Sequence, residues 1–402
     1  MTRPRQFIPF HVPSIDGAEI AAVADTLRSG WLTTGPKTAA FEAAFREYAG
    51  APHALAVNSC TAALHLALEA MRIGPGDEVI TTPMTFCATV NCILHTGATP
   101  VLADIGPDGN ISPQAIRDRI TPRTRAIIPV HYAGLPCDMH AIWSIARSHG
   151  LRVIEDAAHA TGARYAGNPI GAGDPARGMH SDAVAFSFYA TKNMTTGEGG
   201  MVTCHDPELM DRMRILALHG ISKDAWNRYA EHGKWHYDVV ECGFKYNLTD
   251  IQSAIGLEQL RKQDQFLEAR KAIASYYTSR FRDLDELETP PESPGATHAW
   301  HLYVLRLRTD RLRINRAEFI DELHNRGIGA SVHFIPIFDH SYYRSRLSHE
   351  RDRCPETVAL YPRVVSLPLY PGLTEQQIEY IADSVRGIVQ AASGRTVIAT
   401  TI

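Results

Sequence analysis

"FSFYATKNMTTGEGG" (residues 186–200) sets a single lysine, Lys192, between a short alternating strand and three glycines. Ala185, Phe186, Ser187 and Phe188 follow the period of two that marks a strand, and the glycines leave the backbone near the lysine open to close approach. Working outward, the same short apolar runs recur with helical segments between them. "HALAVN" (53–58) reads as a strand and "TAALHLALEAMRIG" (61–74) as a helix closed by Gly74. "DEVITTP" (77–83) is a strand, and "CATVNCILHTG" (87–97) a helix ended by Gly97. "TPVLADI" (99–105), "TRAIIPVHY" (124–132), "LRVIEDA" (151–157) and "AVAFSFY" (183–189) follow as strands, with a helix in "CDMHAIWSIARSHG" (137–150). Strand and helix in alternation require crossover connections, so an α/β architecture with a largely parallel sheet covered on both faces is expected. Ligands of such sheets bind beyond the carboxyl ends of the strands.

Several strand ends deliver chemistry to that edge. After the first strand, Ser59, Cys60 and Thr61 open a helix, where free backbone N–H groups and the positive end of the helix dipole suit a phosphate. Ordinary N-capping is the plainer reading of that stretch. After the second strand comes Phe86, which alone reads as core and in company as a platform for a flat ring. "LRVIE" is followed by Asp156, an acid at a buried strand end that needs a hydrogen bond or a cation there; a helix-capping role is the alternative. Then come Ser187 and Lys192. One chemistry unites the four: pyridoxal 5′-phosphate needs a lysine amine for a Schiff base, a carboxylate to keep its ring nitrogen protonated, a phosphate seat and a flat neighbour.

The remainder sets bounds. The chain of 402 residues is 45% hydrophobic and 21% charged with a net charge of −4, and its basic residues form no stripe, so neither nucleic acid nor an anionic membrane is expected as a partner. No apolar run has membrane-spanning length, and the N-terminus lacks the apolar stretch of a signal peptide. The seven cysteines (60, 87, 92, 137, 204, 242 and 354) include no C-x-x-C pair, which suits reduced thiols in a cytoplasm and no metal site. The polar, aromatic-rich stretch 219–247 is too long for a simple connector and is expected to serve a site or a subunit contact; His232, His236 and Tyr237 fall within it. A long helix is expected from Thr249 to Leu284, capped by Thr249 or Asn247. Beyond it, "AWHLYVLRL" (299–307), a helix near 316–326, "GASVHFIPI" (329–337) and a last helix in "TEQQIEYIADSVRGIVQAA" (374–392) form a smaller α+β unit, with 393–402 as a loose tail. The expected division is a large α/β domain over 1–250 and a small α+β domain over 251–402.

The motifs "GWLTTGPKTAAFE" (30–42), "NSCTAALHLAL" (58–68), "VIEDAAHATGA" (153–163), "AFSFYATKNMTTGEGG" (185–200), "KYNLTDIQSAIG" (245–256) and "GIGASVHFIPI" (327–337) resemble those of the DegT/DnrJ/EryC1/StrS sugar aminotransferases, within the type I fold of pyridoxal-phosphate enzymes. The resemblance runs through "VVSLPLYPGLTEQQI" (364–378). It implies a mostly parallel seven-stranded sheet and a cytoplasmic homodimer with shared sites. Lys192 would be tethered to the cofactor and would move the proton during transfer. Asp156 would meet the ring nitrogen, Phe86 the ring, and Cys60, Thr61 and Ser187 the phosphate. His159 stands where many members carry glutamine, and Cys60 where many carry glycine. Asn247 would reach the phosphate in the neighbouring subunit, and Thr33, Thr34 and His333 would border the sugar. The implied reaction moves an amino group from L-glutamate to a nucleotide-linked keto sugar. The "VHFIPI" segment leans toward position 4 of a UDP-linked sugar, with a 3-keto sugar and other nucleotides open. A sugar dehydratase of the same family would carry histidine in place of Lys192. An amino-acid enzyme of the same fold would carry an arginine clamp, for which Arg363 is the candidate. A non-catalytic regulator would show a degraded site.

Overall fold

The computed structural model describes residues 7–222 and 237–393; His232, His236 and almost all of the expected loose tail lie outside them. Two helices, α1 (Gly17–Ser29) and α2 (Pro36–Ala49), lead into the alternating region. That region runs β1 (His53–Val57), α3 (Cys60–Ala70), β2 (Glu78–Thr81), α4 (Cys87–His95), β3 (Thr99–Leu102), α5 (Pro113–Arg119), β4 (Thr124–Ile128), α6 (Met139–His149) and β5 (Arg152–Asp156). A small excursion, β6 (Arg164–Tyr165) and β7 (Asn168–Pro169), precedes β8 (Ala183–Ser187), β9 (Gly200–Cys204) and α7 (Pro207–Ala217).

Seven strands form one sheet in the order β1-β9-β8-β5-β4-β2-β3. Every pairing among β8, β5, β4, β2 and β3 is parallel, whereas β9 runs antiparallel to both β8 and β1. The sequence reading passed over β9. Its connection from β8 is the Lys192 turn itself, tight enough to return the chain alongside. Within β8 the alternation has the expected consequence. Phe186 and Phe188 face α2, where Phe45 packs edge-on against both at 5.0 and 5.3 Å between ring centroids. Ala185 belongs to the opposite face, with α3, and Ser187 shares that side by the strand's period of two.

Helix α3 ends before Gly74. Its cap is Met71, and Arg72 takes the left-handed conformation (φ 59°) expected of the glycine. Helix α8 (Asp250–Phe281) stops three residues short of Leu284 and begins with a capping box between Thr249 and Gln252. At 32 residues it is about 48 Å long at 1.5 Å per residue, enough to pack on α1 and α2 at one end and on the C-terminal unit at the other.

In that unit, β10 (Leu287–Glu288), β12 (Tyr303–Leu307) and β13 (Val364–Leu367) form an antiparallel sheet, while β11 (Ala296–Thr297) joins β6. Helices α9 (Arg316–Asn325), α10 (Ser341–Leu347), α11 (Pro355–Leu360) and α12 (Glu375–Ala392) complete it. Tyr277 and Phe281 of α8 share a buried core with Tyr303, Leu305, Val365 and Val385, and Ile8 from the far end of the chain enters the same core. The segment 329–337 forms no strand; its one bridge is Ser331 to Ser366. Asp104, just after β3, holds the start of α11, accepting from the backbone N–H groups of Glu356 and Thr357 and from the Thr357 hydroxyl. Among the described residues no helix is long and apolar enough to cross a membrane.

Candidate active site

The carboxyl ends of β5 and β8 and the turns after β1 and β2 open on one cavity of about 550 Å³. Cys60, Thr61, Phe86, Asp156, His159, Ser187, Lys192 and His333 all line it. Each arrives by local rules. Ser59 caps α3, its hydroxyl accepting from Ala62 N at 3.1 Å, so the plain capping reading is correct for that residue. The first-turn N–H groups of Cys60 and Thr61 have no acceptor within the helix and point out of its start. Gly200 permits this closeness: a Cβ there would lie 2.5 Å from Ser59 C and 2.6 Å from Cys60 N. The Cys60 thiol turns away toward Ala185 O (3.6 Å), and burial pushes its pKa far up. Cys60 therefore presents its backbone N–H, and not its thiol, at the start of α3.

Lys192 is held by its own turn, with Lys192 N donating to Tyr189 O and Thr196 N to Phe188 O, both at 2.9 Å. Burial lowers the amine's pKa to about 8, against the opposing pull of Cys60 and Asp156. Asp156 is buried and accepts from Thr89 Oγ1 at 2.8 Å and Ala158 N at 3.1 Å, and it caps no helix. Burial raises its pKa; the Thr89 and Ala158 hydrogen bonds, then Lys192 and His131, pull the other way. Among the described residues no cation forms an ion pair with it. His159 is likewise buried, its ring 4.3 Å from His301 and stacked at 5.6 Å on Phe334. Its Nδ1 finds no hydrogen-bond partner among the described residues, and burial holds the imidazole neutral.

Phe86 is not core: it is 61% exposed while lining the cavity. His333 is fixed by Ser366 Oγ at 2.9 Å from its Nδ1, and burial lowers its pKa to about 4. Thr33, Thr34 and Asn247 do not line this cavity. Asn247 Nδ2 donates to Thr34 Oγ1 (2.7 Å), and both residues border a second cavity of about 380 Å³ with Trp31 and Arg214. Thr33 contributes a carbonyl to Asp250 N. Tyr237 is half exposed and lines neither cavity. Arg363 is committed to Glu288 and to Leu307 O, away from the cavity.

Sequence reasoning missed Thr89, His11, His301, Glu198 and Phe334, all of which line the Lys192 cavity. Thr89 carried a signal, since it lies one helical turn after Thr85 beside Phe86. His11 and His301 carried none, because they arrive from segments distant in sequence.

The sequence profile of the DegT/DnrJ/EryC1/StrS aminotransferase family matches residues 13–386. An uncharacterized protein of Methanocaldococcus jannaschii is 50% identical over 95% of this chain and 98% of its own. The spore coat polysaccharide biosynthesis protein SpsC of Bacillus subtilis is 48% identical over 96% of this chain and 98% of its own. Among solved structures, the putative sugar aminotransferase Spr1654 of Streptococcus pneumoniae in its PMP form is 34% identical, covering 96% of this chain and 99% of its own with a TM-score of 0.88. The chain belongs to the DegT/DnrJ/EryC1/StrS aminotransferase family, whose enzymes use pyridoxal 5′-phosphate.

The cavity fits that cofactor. A buried carboxylate with no ion-paired cation among the described residues suits a protonated ring nitrogen, and the unpartnered His159 Nδ1 suits a polar substituent of the ring. A helix start beside the Ser187 hydroxyl suits a phosphate.

Proposed function

We propose that the protein transfers the amino group of L-glutamate to C4 of a UDP-linked keto-deoxysugar, forming an amino sugar for surface polysaccharide or glycoconjugate. The observation that carries this reading is the pairing of Lys192, its amine brought to a pKa of about 8, with the buried carboxylate of Asp156 in one cavity of a family aminotransferase. SpsC, named for spore coat polysaccharide, supports the sugar acceptor.

In this reading the Cys60 and Thr61 N–H groups and the Ser187 hydroxyl would hold the phosphate. Asp156 would hold the ring nitrogen's proton, Phe86 would pack against the ring and His159 would hydrogen-bond a polar substituent of it. The bound cofactor supplies an electron sink for a carbanion at the donor's α-carbon. Lys192 Nζ would remove the proton at that carbon and later deliver one to the sugar carbon, a role its pKa of about 8 suits because such an amine can take up and give up a proton near neutral pH. His333 borders the sugar. Thr33, Thr34 and Asn247, which lie outside this chain's own Lys192 cavity, serve the site of a second copy, so the working unit is a homodimer.

The test is a visible spectrum of the purified protein with L-glutamate, followed by UDP-linked 4-keto sugars. A yellow band that bleaches with glutamate and returns with the sugar is expected. A band that glutamate never bleaches overturns the donor, and a band that no 4-keto sugar restores overturns the acceptor. Mixing Lys192→Ala and Asn247→Ala proteins tests the shared site: activity should return in the mixture if one chain completes the other's cavity.

A further inference from the structure

Each oxygen of the Asp156 carboxylate accepts a hydrogen bond from the protein, Oδ1 from Ala158 N and Oδ2 from Thr89 Oγ1. Thr89 Oγ1 lies 2.8 Å from Oδ2, and Thr85 Oγ1 lies 2.8 Å from Thr89 Oγ1. All three residues are buried, and Thr89 has no exposure at all. An ionised carboxylate can only accept, so the Thr89 hydroxyl donates to it and must accept from Thr85. The two hydroxyls thus form a directed chain in which each bond polarises the next. Thr89 also sits in the first turn of α4, so its hydroxyl is carried by a rigid element. Lys192 and His131 act on the charge of Asp156 from nearby without forming an ion pair with it among the described residues.

We infer that Thr89, backed by Thr85, is a positioning residue that keeps Asp156 ionised and aimed at the cofactor's ring nitrogen. The inference rests on the cofactor reading above. Its role is electrostatic: the donor chain favours the charged carboxylate against burial, and the charged carboxylate in turn holds the ring proton.

The test reconstitutes wild type, Thr89→Val and Thr89→Ser with pyridoxal phosphate labelled with nitrogen-15 in the ring, and follows the label's chemical shift with pH. A hydrogen bond to a charged group has the strength to move the ring nitrogen's proton loss down by about one to two pH units in Thr89→Val and to weaken cofactor binding about ten- to hundred-fold. Thr89→Ser, which keeps the hydroxyl, follows wild type. A Thr89→Val protein whose ring nitrogen titrates as in wild type overturns the inference while leaving the cofactor reading intact. Failure of wild type itself to take up the cofactor instead overturns that reading. If Thr89→Val does not fold, Thr85→Val decides: a shift in the same direction of a few-fold supports the chain, and none overturns it.

Discussion

Asp156 and Asp250 are both buried aspartates, and they are built oppositely. Asp250 caps the start of α2 from a distance, its two oxygens accepting from Gly35 N at 2.8 Å, Lys37 N at 3.0 Å, Thr38 N at 2.9 Å and Thr38 Oγ1 at 2.7 Å. Four donors converge on it, three of them backbone groups that the helix start would otherwise leave open. Asp156 has two donors and no ion-paired cation among the described residues, and burial raises its pKa. One carboxylate takes four donors within the chain; the other takes two and keeps acceptor capacity that suits a positive ligand. His159 is in the same position as Asp156: its Nδ1 is buried and lacks a partner among the described residues. Full satisfaction marks a joint of the fold, and a buried deficit marks a place for a ligand.

The largest expected effect falls on the group beside that deficit. If Lys192 is both tether and proton carrier, as proposed, Lys192→Ala should cut transfer by at least about a thousand-fold with loss of the yellow band. Residual turnover within tenfold of wild type, measured as glutamate-dependent amination, would separate Lys192 from the chemistry.

The two aspartates should then part company. Asp156→Asn should lower kcat by about a hundred- to a thousand-fold, since it removes preorganised charge from the site, while the thermal midpoint holds or rises once the buried charge is gone. Asp250→Asn should cost about 2–3 kcal/mol of stability, because an amide cannot accept four bonds, yet leave the cofactor band in place. Denaturant melts and band intensity on the same two proteins check both. The reverse pattern would break the comparison.

What was legible in the sequence follows from the same physics. Lys192, Asp156, Ser187 and the Ser59–Thr61 cap sit at strand ends, where local alternation and capping chemistry are written in consecutive residues. The α/β order was legible for that reason too. The reversal of β9 was not, because whether "GMVTC" runs with or against β8 depends on a neighbour chosen by the turn. Arg72 in place of Gly74 shows that tertiary packing can impose a left-handed residue that propensity would refuse. His11 and His301 reach the cavity from segments far apart in the chain, and no local pattern announces such a meeting. Phe86 was ambiguous because a ring at a cavity mouth and a ring in a core look alike in a string of residues.

A smaller effect tests the phosphate seat. Gly200→Ala would drive its Cβ to 2.5 Å from the Ser59 carbonyl carbon, an atom of the backbone that cannot swing aside. The start of α3 must shift, at a cost of about 1–3 kcal/mol. The cofactor's dissociation constant should rise with it, while Asp250→Asn leaves that constant alone. A Gly200→Ala protein as stable and as tightly loaded as wild type would mean the seat lies elsewhere.

The smallest effect is the most discriminating. Burial strips hydration from the Lys192 ammonium and lowers its pKa to about 8. Only the neutral amine attacks a carbonyl, so capture of pyridoxal phosphate by the apoprotein should quicken as pH rises and level off above about 8, with a loss of about tenfold for each pH unit below. Asp156 pulls that pKa upward, since an anion stabilises the ammonium. Asp156→Asn should therefore move the midpoint below the wild-type value, and Asp250→Asn should not move it. Stopped-flow capture rates on the three proteins decide the matter. A midpoint near the ordinary lysine value would place the amine in water and deny the cavity its hold on it. A midpoint that moves with Asp250 instead of Asp156 would assign the electrostatic work to the wrong aspartate.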